Sequence, residues 1–505
     1  MSRLTVFAAT ALLVASGRLA AQDGASVAAA VASITPADVQ ARIDLLAADS
    51  MRGRYTPSRE LEQAASYLAG QFRSFGLRPG GDGGTFLQRY RVDQVRLDTA
   101  ASRIEVAGGP TWRFGREVLF PGGVLHDVEV TAPLLLVSGA PDAKAAQRLD
   151  LRGAIVLLAP SARRNLRAVE ANAVLAALLA RSPAAVLVLA MTPDTAWNVV
   201  AARQSRIMTR RSWEPAGPPI VWVRNQAAAS LLASRGLDLA GVRATDHPLT
   251  ATGLDVSVSF TLHTRLVSSA RAPNVAGILE GSDPALKDEY VVFSAHMDHL
   301  DVERPAVRGD SINNGADDNA SGTTAVLELA EAFARLDPRP RRSMIFVTVS
   351  GEERGLWGSS AFTADPPVPI GQMVANFNLD MVGRNWKDTI VVIGRQHSDL
   401  GSTLARVNRA HPELGMTAID DIWPEERFFF RSDHYNFARL GVPALFFFNG
   451  VHEDYHKVSD EPAKIDAEKA SRIVKLAFYL GLEVANAAQR PKWNPASYKQ
   501  IVEGR

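Results

Sequence analysis

Short apolar runs alternate with helical periods in the second half of the chain. The segment 322–336 ("GTTAVLELAEAFARL") has the spacing of an amphipathic helix. Strands alternating with helices predict a mostly parallel mixed sheet with helices on both faces, over residues 255–490. The runs that predict its strands are "DVSVSFTL" (255–262), "NVAGILEG" (274–281), "EYVVFSAH" (289–296), "RSMIFVTVSGEE" (342–353), "ANFNLDMVG" (375–383), "TIVVIG" (389–394) and "VPALFFFNG" (442–450).

The stretch before this sheet has a different pattern. Apolar runs bounded by Gly or Pro occur at 132–139, 153–160 and 184–190, with an alanine-rich helical segment at 167–180 between the last two. They predict a smaller α/β or β-barrel-like unit over residues 116–250. An earlier helical period, followed by glycines and Pro79, predicts an N-terminal helix with strands over residues 36–115, packed on the sheet domain.

The first residues have the pattern of a secretory signal peptide. Arg3 precedes an apolar run from Leu4 to Ala15, which is too short to span a bilayer. We therefore expect residues 1–21 to be removed after Ala21, and the protein to be exported to the periplasm or secreted without a stable membrane anchor. An uncleaved anchor is the alternative. No later segment is long and apolar enough to be a membrane span.

The amino-acid composition limits which partners the protein can bind and which residues can form a metal site. Of 505 residues 47% are apolar, and the formal net charge is +1, so no electrostatic field selects nucleic acid. The chain has no cysteine, which excludes disulfides. Any metal site must therefore use His, Asp and Glu, the ligands that suit zinc and related divalent ions.

Acidic and His residues follow the predicted strands of the sheet, and the carboxyl ends of parallel strands are where functional side chains gather. Taken singly, each could cap a helix or a turn, or be solvated. Together they are too many for one four-coordinate zinc, and they suit two metals ~3.5–4 Å apart that share a carboxylate. These residues are His296 and Asp298, Asp317 and Asp318, Glu352 and Glu353, Asp380, and His456.

Two pairs within this set predict a division of roles. Glu352 and Glu353 are adjacent, which suits one metal ligand and one catalytic base in different environments. Asp298 follows His296 by two residues, and it is placed to accept the second N–H of that imidazole ring and so orient it.

Six motifs in this domain occur in a characteristic order and spacing: "SAHMDHL", "NNGADDNASGTTAVLELA", "SGEERGLWGS", "NLDMVGR", "RSDHYNF" and "DYHKVSD". In this order they resemble the co-catalytic di-zinc exopeptidases, which include bacterial aminopeptidases, aminopeptidase Y and the glutamate carboxypeptidase group. The resemblance implies a phosphorylase/hydrolase-like zinc exopeptidase fold. The stretch "DLRGAIVLLAP" (150–160) is similar to a protease-associated domain, inserted before the sheet domain.

The resemblance also implies a cofactor of two Zn²⁺ ions per chain and a role for each motif residue. Tyr455 would hydrogen-bond the oxyanion, and Arg431 would lie near the substrate amino group. Glu352 would be the general base, with Asp298 as a further catalytic residue. The implied ligands are His296 and Asp380 for one zinc, Glu353 and His456 for the other, and Asp318 as the bridge.

The activity that this resemblance implies is that of an exported zinc aminopeptidase, acting on peptides with a free N-terminus. A zinc-bound water would lose its proton to Glu352 and attack the scissile carbonyl. A carboxypeptidase or dipeptidase of the same fold is the nearest alternative, and it would need a cation for the substrate's terminal carboxylate. A non-enzymatic receptor-like protein and a single-zinc glutaminyl cyclase are further alternatives. The oligomeric state and the preferred side chain stay open.

The segment "HEDYH" (452–456) matches the His-Glu-x-x-His spacing of a zinc-protease helix. It follows a predicted strand that ends at Asn449-Gly450, however, and no helical period runs through it. We therefore expect the segment to hold zinc through His456 alone, with His452 and Glu453 as loop residues without a role.

Overall fold

A computed structural model describes residues 24–160, 168–190, 194–202, 204, 206–244, 246–307 and 309–504. The predicted signal peptide, residues 1–21, lies outside these ranges. The chain divides into a larger unit, Met1–Tyr90 with Arg271–Arg505, and an inserted unit, Arg91–Ala270. Each helix within the described ranges falls short of the length and apolar character that crossing a membrane requires.

The strands are given in chain order. They are β1 Arg78–Pro79, β2 Leu87–Leu97, β3 Arg103–Val106, β4 Thr111–Arg113, β5 Val118–Leu119, β6 Val128–Ser138, β7 Ile155–Leu158, β8 Ala185–Leu189, β9 Met208–Arg211, β10 Ile220–Val223, β11 Thr250–Leu262, β12 Thr264–Leu279, β13 Tyr290–His296, β14 Ser343–Val349, β15 Met373–Leu379, β16 Thr389–Ile393, β17 Thr417–Ile419 and β18 Ala444–Phe447.

The helices are given in the same way. They are α1 24–32, then α2 Pro36–Leu46, α3 Arg59–Ser74, α4 Ala143–Ala146, α5 Ala168–Leu179, α6 Asp194–Ala201, α7 Asn225–Ala233, α8 Leu239–Val242, α9 Gly322–Ala334, α10 Trp357–Ala364, α11 Leu400–Ala410, α12 His434–Ala438, α13 Ala467–Asn486 and α14 Pro495–Tyr498.

The larger unit is built on a mixed sheet. Its strands lie in the order β17-β16-β18-β15-β13-β14-β12-β2, and β1 pairs with β12. The four adjacent central strands β18, β15, β13 and β14 run parallel to one another. The pairings of β1 with β12, β12 with β14 and β16 with β18 are antiparallel. The predicted α/β sheet is therefore confirmed, with antiparallel pairings toward both edges. The prediction was wrong for the run 255–262, because it lies in β11, which pairs with β3 and β6 in the sheet of the inserted unit.

Helices cover both faces of this sheet. On one face, Phe293 of β13 lies 5.6 Å from the ring of Phe333 on α9, which lies 4.5 Å from Phe478 on α13. On the other face, α10 and α12 pack through Phe362 and Phe437 against residues of β12 and β14. Strands buried on both faces must be apolar throughout, and this explains their continuous apolar runs.

The N-terminal helices pack on the same sheet. Ser58 begins α3 by accepting the amide hydrogen of Leu61 at 3.0 Å, a typical N-cap. A Cβ at Gly277 of β12 would lie 3.1 Å from the Phe72 ring of α3. Glycine at this position therefore lets the helix pack close to the strand.

The inserted unit has its own sheet, in the order β4-β3-β11-β6-β7-β8-β10-β5. The pairings β6–β7, β7–β8 and β8–β10 are parallel. Separate apolar clusters form from alternate residues of these strands, such as Ile155 and Leu157 in one and Val156 and Leu158 in the other. The unit is thus an α/β layer with its own core.

Residues 91–115 lie in the inserted unit, although the sequence pattern assigned them to the N-terminal segment 36–115. The reason is long-range pairing, since β3 pairs with β11 and β11 pairs with β6. The residues after 490 also extend the predicted sheet domain, because Trp493 and Ile501 pack in an apolar cluster with Phe428 and Phe446.

Candidate metal centre

Three neighbouring parallel strands deliver the first candidate ligands. His296 is the last residue of β13, Glu352 and Glu353 follow the end of β14, and Asp380 follows β15. Because β13 lies between β14 and β15, the three carboxyl ends meet at one edge of the sheet.

Asp318 comes from an irregular turn before α9. Gly315 at the start of this turn has a φ of +59°, and a Cβ there would lie 2.5 Å from the His299 ring. The amide hydrogens of Asp317 and Asp318 are donated to the Asp460 carboxylate, at 3.0 and 3.1 Å. The turn is therefore fixed by a glycine and by a carboxylate about 140 residues away.

The first cluster consists of His296, Asp318 and Asp380. His296 Nε2 lies 3.3 Å from Asp318 Oδ1 and 3.4 Å from Asp380 Oδ1. The three residues are buried, and one atom from each lies within 4.8 Å of the other two. This geometry suits one divalent ion.

The second cluster consists of His299, Asp318, Glu353 and His456. His456 Nε2 lies 3.1 Å from Asp318 Oδ2 and 3.3 Å from Glu353 Oε2. His299 Nδ1 lies 2.9 Å from Glu353 Oε1 and 3.8 Å from Asp318 Oδ2. The two oxygens of Asp318 therefore face different clusters.

His299 was not among the residues predicted from the sequence. Its side chain is fully buried and it meets the geometric requirement for a ligand together with Asp318 and Glu353. The available signal was its position in "HMDH", three residues after His296 at the end of the same strand.

Hydrogen bonds fix the orientation of the first cluster. Ser432 donates its hydroxyl hydrogen to Asp380 Oδ2 at 3.0 Å, and Asn378 donates to Ser432 at 2.9 Å. His296 Nδ1 lies 3.1 Å from the main-chain oxygen of Asp298 and 3.7 Å from its carboxylate. The predicted partner of this ring is thus in place, with its carbonyl oxygen nearer than its carboxylate.

The Asp298 carboxylate instead joins other parts of the site. Its Oδ1 accepts the amide hydrogen of Glu352 at 3.2 Å, and its Oδ2 accepts the hydroxyl of Thr56 at 3.0 Å. Thr56 belongs to the N-terminal motif "SMRGRYTPS", so this motif supports the centre.

Arg54 of the same motif is fully buried. Its guanidinium donates to the carbonyl oxygens of Met297 at 2.8 Å, Asn314 at 2.8 Å and Gly315 at 3.0 Å. These carbonyls belong to the loops that carry His296 and Asp318. The planar guanidinium of Arg54, with its rigidly spaced N–H donors, therefore holds together the two loops that carry candidate metal ligands.

Glu352 lines a cavity of about 50 Å³ beside both clusters, together with Tyr455, Arg431 and the rings of Phe428 and Phe448. Burial raises the pKa of the Glu352 carboxyl well above its usual range, and the carboxylates of Asp433, Glu353 and Asp380 raise it further. A carboxyl with a raised pKa is a suitable proton acceptor and donor near neutral pH.

Two further predicted residues line this cavity. The Tyr455 ring stacks on His456 with centroids 3.8 Å apart, and burial raises the pKa of its hydroxyl, which therefore keeps its proton as a donor. Arg431 lies with its guanidinium 4.8 Å from the Phe428 ring, and its Nη1 is 3.1 Å from Glu426 Oε2. Its side chain is 49% exposed.

The segment "HEDYH" forms turns and no helix. His456 has a φ of +56°, in the left-handed region. The side chain of His452 is 4% exposed, and its Nε2 lies 3.2 Å from Asp317 Oδ2. The absence of a zinc-protease helix agrees with the prediction from the sequence. His452, however, is a buried residue whose ring lies against Asp317, rather than a loop residue without a role.

The chemistry of the centre fits a divalent cation. Within the described residues, both ring nitrogens of His299, Glu353 Oε1 and Asp380 Oδ1 are buried without a hydrogen-bond partner. Although burial lowers the pKa of His456, Asp318 and Glu353 raise it to about 10. The centre is therefore strongly anionic, and metal ions would satisfy the unpartnered atoms.

Comparisons with known proteins agree with this chemistry. Residues 274–481 match the profile of peptidase family M28. A probable zinc metalloprotease of Pyricularia oryzae is 26% identical over 266 residues, 44% of this chain and 52% of its own. Aminopeptidase YwaD of Bacillus subtilis is 24% identical over 241 residues, 46% of this chain and 49% of its own. This chain thus spans about half the length of these relatives.

Among solved structures, an aminopeptidase from Aneurinibacillus sp. strain AM-1 superimposes with a TM-score of 0.46 and 19% sequence identity. The superposition covers 92% of this chain and 97% of that one.

Proposed function

We propose that the chain is a zinc aminopeptidase that hydrolyses the N-terminal residues of peptides, because residues 274–481 match the profile of peptidase family M28. The observation that carries this proposal is the sharing of Asp318 between two clusters, with Glu352 in the adjoining cavity. The names of the zinc metalloprotease and aminopeptidase relatives support it.

Two zinc ions per chain would fit these residues. Once bound, they supply a water of lowered pKa and polarise the scissile carbonyl. The first cluster offers His296 and Asp380, the second offers Glu353 and His456, and Asp318 has one oxygen toward each. His299 orients Glu353 from the opposite side in this proposal.

The chain's own residues would move the proton. Glu352 accepts a proton from the attacking water and passes it to the leaving amine, which its raised pKa favours. Asp298 accepts the Glu352 amide hydrogen and so holds the base in position. Tyr455 donates its hydroxyl hydrogen to the carbonyl oxygen as negative charge develops there.

The substitution Glu352→Gln tests this assignment. The amide is nearly isosteric and cannot accept a proton, so hydrolysis of an aminoacyl-anilide should fall by at least about 10³-fold. The zinc content should stay at two per chain, with Glu413→Gln as an exposed control. A normal rate in Glu352→Gln would reject the base, and well under two zincs in the unmodified enzyme would favour a receptor-like binding protein.

A carboxypeptidase or dipeptidase is the second candidate, and Arg431 is the observation that favours it. This cation lines the cavity beside the clusters, and its partner Glu426 is exposed, so the pair is weak. A guanidinium repels an ammonium group and binds a carboxylate through paired hydrogen bonds. Arg431 therefore suits the terminal carboxylate of a substrate better than its amino group.

Matched substrates separate the two activities. An aminopeptidase cleaves alanyl-anilide and rejects N-acetylated peptides. A carboxypeptidase cleaves N-acetyl-dialanine but no longer cleaves it once the C-terminus of this substrate is amidated. A dipeptidase cleaves dialanine and not its amide. Arg431→Gln should abolish the preference for a free carboxylate, while Arg427→Gln, whose guanidinium lies over Phe430, should keep it.

Export and the nature of the inserted unit complete the proposal. The signal-like pattern of residues 1–21 supports export to the periplasm or the medium. The mature chain would then begin at Gln22, which N-terminal sequencing of the exported protein would test. The motif "DLRGAIVLLAP" supports a protease-associated identity for the inserted unit.

A further inference from the structure

The loop 451–460 carries both Tyr455 and His456 and has no helix or strand of its own. His456 adopts a φ of +56°, a region that costs a non-glycine residue about 1–3 kcal/mol and persists only where the surroundings hold it. Something in the neighbouring structure must therefore hold this loop, and three of its side chains make buried contacts that do so.

The first contact joins His452 to Asp317. His452 Nδ1 accepts the amide hydrogen of Asp454 at 3.3 Å, so the ring proton is on Nε2, which faces Asp317 Oδ2 at 3.2 Å. The other oxygen of Asp317 accepts the amide hydrogen of Gly383 at 2.7 Å. Asp317 directly precedes Asp318, so the pair ties the loop to the shared ligand.

The second contact joins Asp454 to Arg384. Arg384 Nη2 lies 2.9 Å from Asp454 Oδ2, and Lys464 and Ser459 each donate to Asp454 Oδ1 at 2.7 Å. Both residues of the ion pair are largely buried, with side-chain exposures of 15% and 7%. Arg384 lies four residues after Asp380, so this pair ties the loop to the first cluster.

The third contact is made by Asp460, which accepts the amide hydrogens of Asp317 and Asp318. The loop is thus held before, beside and after His456, twice by the segment that carries the shared ligand Asp318 and once by the segment that follows Asp380.

We propose that His452 and Asp454 are positioning residues, which fix the loop 451–460 so that His456 and Tyr455 face the second cluster. The proposal rests on the two-zinc function given above. In this proposal His452, the first His of "HEDYH", holds the metal-binding loop in place and does not bind metal itself.

The proposal predicts an effect on one metal only. His296 and Asp380 lie at the ends of buried strands and do not depend on the loop, whereas His456 does. Loss of the His452 contact should therefore weaken the second metal at least about tenfold, the usual effect of removing a group that orients a ligand, and leave the first metal bound.

The test compares His452→Phe, which keeps a ring but has no donor, with His452→Gln, whose amide retains a donor near Nε2. Glu453→Gln is the matched control, because Glu453 is exposed in the same turn. Zinc per chain is measured across a series of buffered free-zinc concentrations. Visible absorption of the Co²⁺-loaded protein reports the geometry of each site.

We expect the unmodified enzyme and Glu453→Gln to titrate with two tight sites. His452→Phe should keep one tight site and lose at least tenfold in affinity at the other, and His452→Gln should recover most of that loss. Two unchanged sites in folded His452→Phe would overturn the proposal. If that variant does not fold, Asp454→Asn is tested in its place, and two unchanged sites in it would likewise overturn the proposal. Fewer than two zinc sites in the unmodified enzyme would instead reject the proposed function.

Discussion

At the scale of single residues, the centre depends on Asp318 more than on any other side chain. Its two oxygens face His296 and His456 at 3.3 and 3.1 Å, and its amide hydrogen is donated to Asp460. Although burial opposes ionisation, His296 and His456 hold the pKa of this carboxyl well below its usual range. The surroundings of Asp318 therefore favour its anionic form, which the proposed bridging role requires.

His299 carries a prediction at this scale. Its Nδ1 lies 2.9 Å from Glu353 Oε1, so it orients the carboxylate whose other oxygen faces His456. We expect His299→Leu to lower both zinc affinity at the second cluster and kcat/KM by about 10–100-fold, because the cluster loses the buried imidazole that lies against Glu353.

His299→Asn retains a polar group near the position of Nδ1 and should recover part of the loss. His126→Leu in the inserted unit, where the ring contacts only a nearby carbonyl among the described residues, should change neither quantity. Unchanged zinc titration and kinetics in His299→Leu would contradict the assigned role. Equilibrium dialysis and initial-rate measurements on the same preparations provide the comparison.

At the scale of elements, the N-terminal motif that contains Gly53 and Arg54 supports the metal centre. Gly53 has a φ of +76°, and a Cβ there would lie 2.1 Å from the Leu300 oxygen and 2.7 Å from the Asn313 oxygen. We expect Gly53→Ala to lower the free energy of unfolding by about 2–4 kcal/mol, through backbone strain and overpacking. It should also displace Arg54 and weaken zinc binding.

Gly83→Ala is the matched control for this substitution. Gly83 also has a positive φ, +57°, but a Cβ there would meet nothing within 4 Å. The control should therefore lose only about 1–2 kcal/mol, the cost of the left-handed conformation alone. Equal losses in urea unfolding for the two variants would show that the contacts of Gly53 are unimportant.

A second prediction at this scale concerns the contact between α2 and α9. Arg42 Nη1 of α2 lies 2.8 Å from Glu328 Oε1 of α9. Burial raises the pKa of Glu328 from 4.5 to about 7, although Arg42 opposes the shift. Between these values the unfolded chain releases a proton that the folded chain retains, so folding stability falls as pH rises through this window.

Glu328→Gln should remove this dependence. Relative to the unmodified protein, the variant should gain stability between pH 4.5 and pH 7, by no more than about 3 kcal/mol. Chemical unfolding of both proteins at several pH values measures the difference, with the exposed substitution Glu425→Gln as control. A difference between variant and parent that does not change with pH would contradict the prediction.

At the scale of the whole molecule, the two units differ in their dependence on metal. Every residue of both clusters lies in the larger unit, whereas the inserted unit has its own sheet and apolar clusters. Metal binding stabilises only the structure that contains the ligands.

We therefore expect chelation to abolish peptidase activity and lower the melting temperature of the larger unit. In hydrogen exchange, faster exchange should be concentrated at 313–321 and 451–460, with residues 91–270 unchanged. Added zinc should restore both activity and protection. Uniformly faster hydrogen exchange across both units would contradict the prediction that only the larger unit is stabilised by metal.

The sequence by itself determined the element types and the chemical character of the centre. The apolar runs at 289–296 and 342–353 and the helical period at 322–336 coincide with β13, β14 and α9, because periodicity reflects local burial. The predicted candidates His296, Glu353 and Asp380 follow the ends of three parallel strands that share one edge of the sheet, whereas Asp318 comes from the turn before α9. The order of the motifs was sufficient to indicate a resemblance to the zinc exopeptidases.

Only the tertiary structure decided which residues complete the centre. The contacts of His452 with Asp317, Asp460 with Asp318, and Arg54 with the ligand loops join positions more than 130 residues apart. The antiparallel pairing of β12 with β14 and the assignment of residues 91–115 to the inserted unit also depend on partners that are far apart in the sequence. Local periodicity and motif spacing carry no information about such partners, because packing of the whole chain selects them.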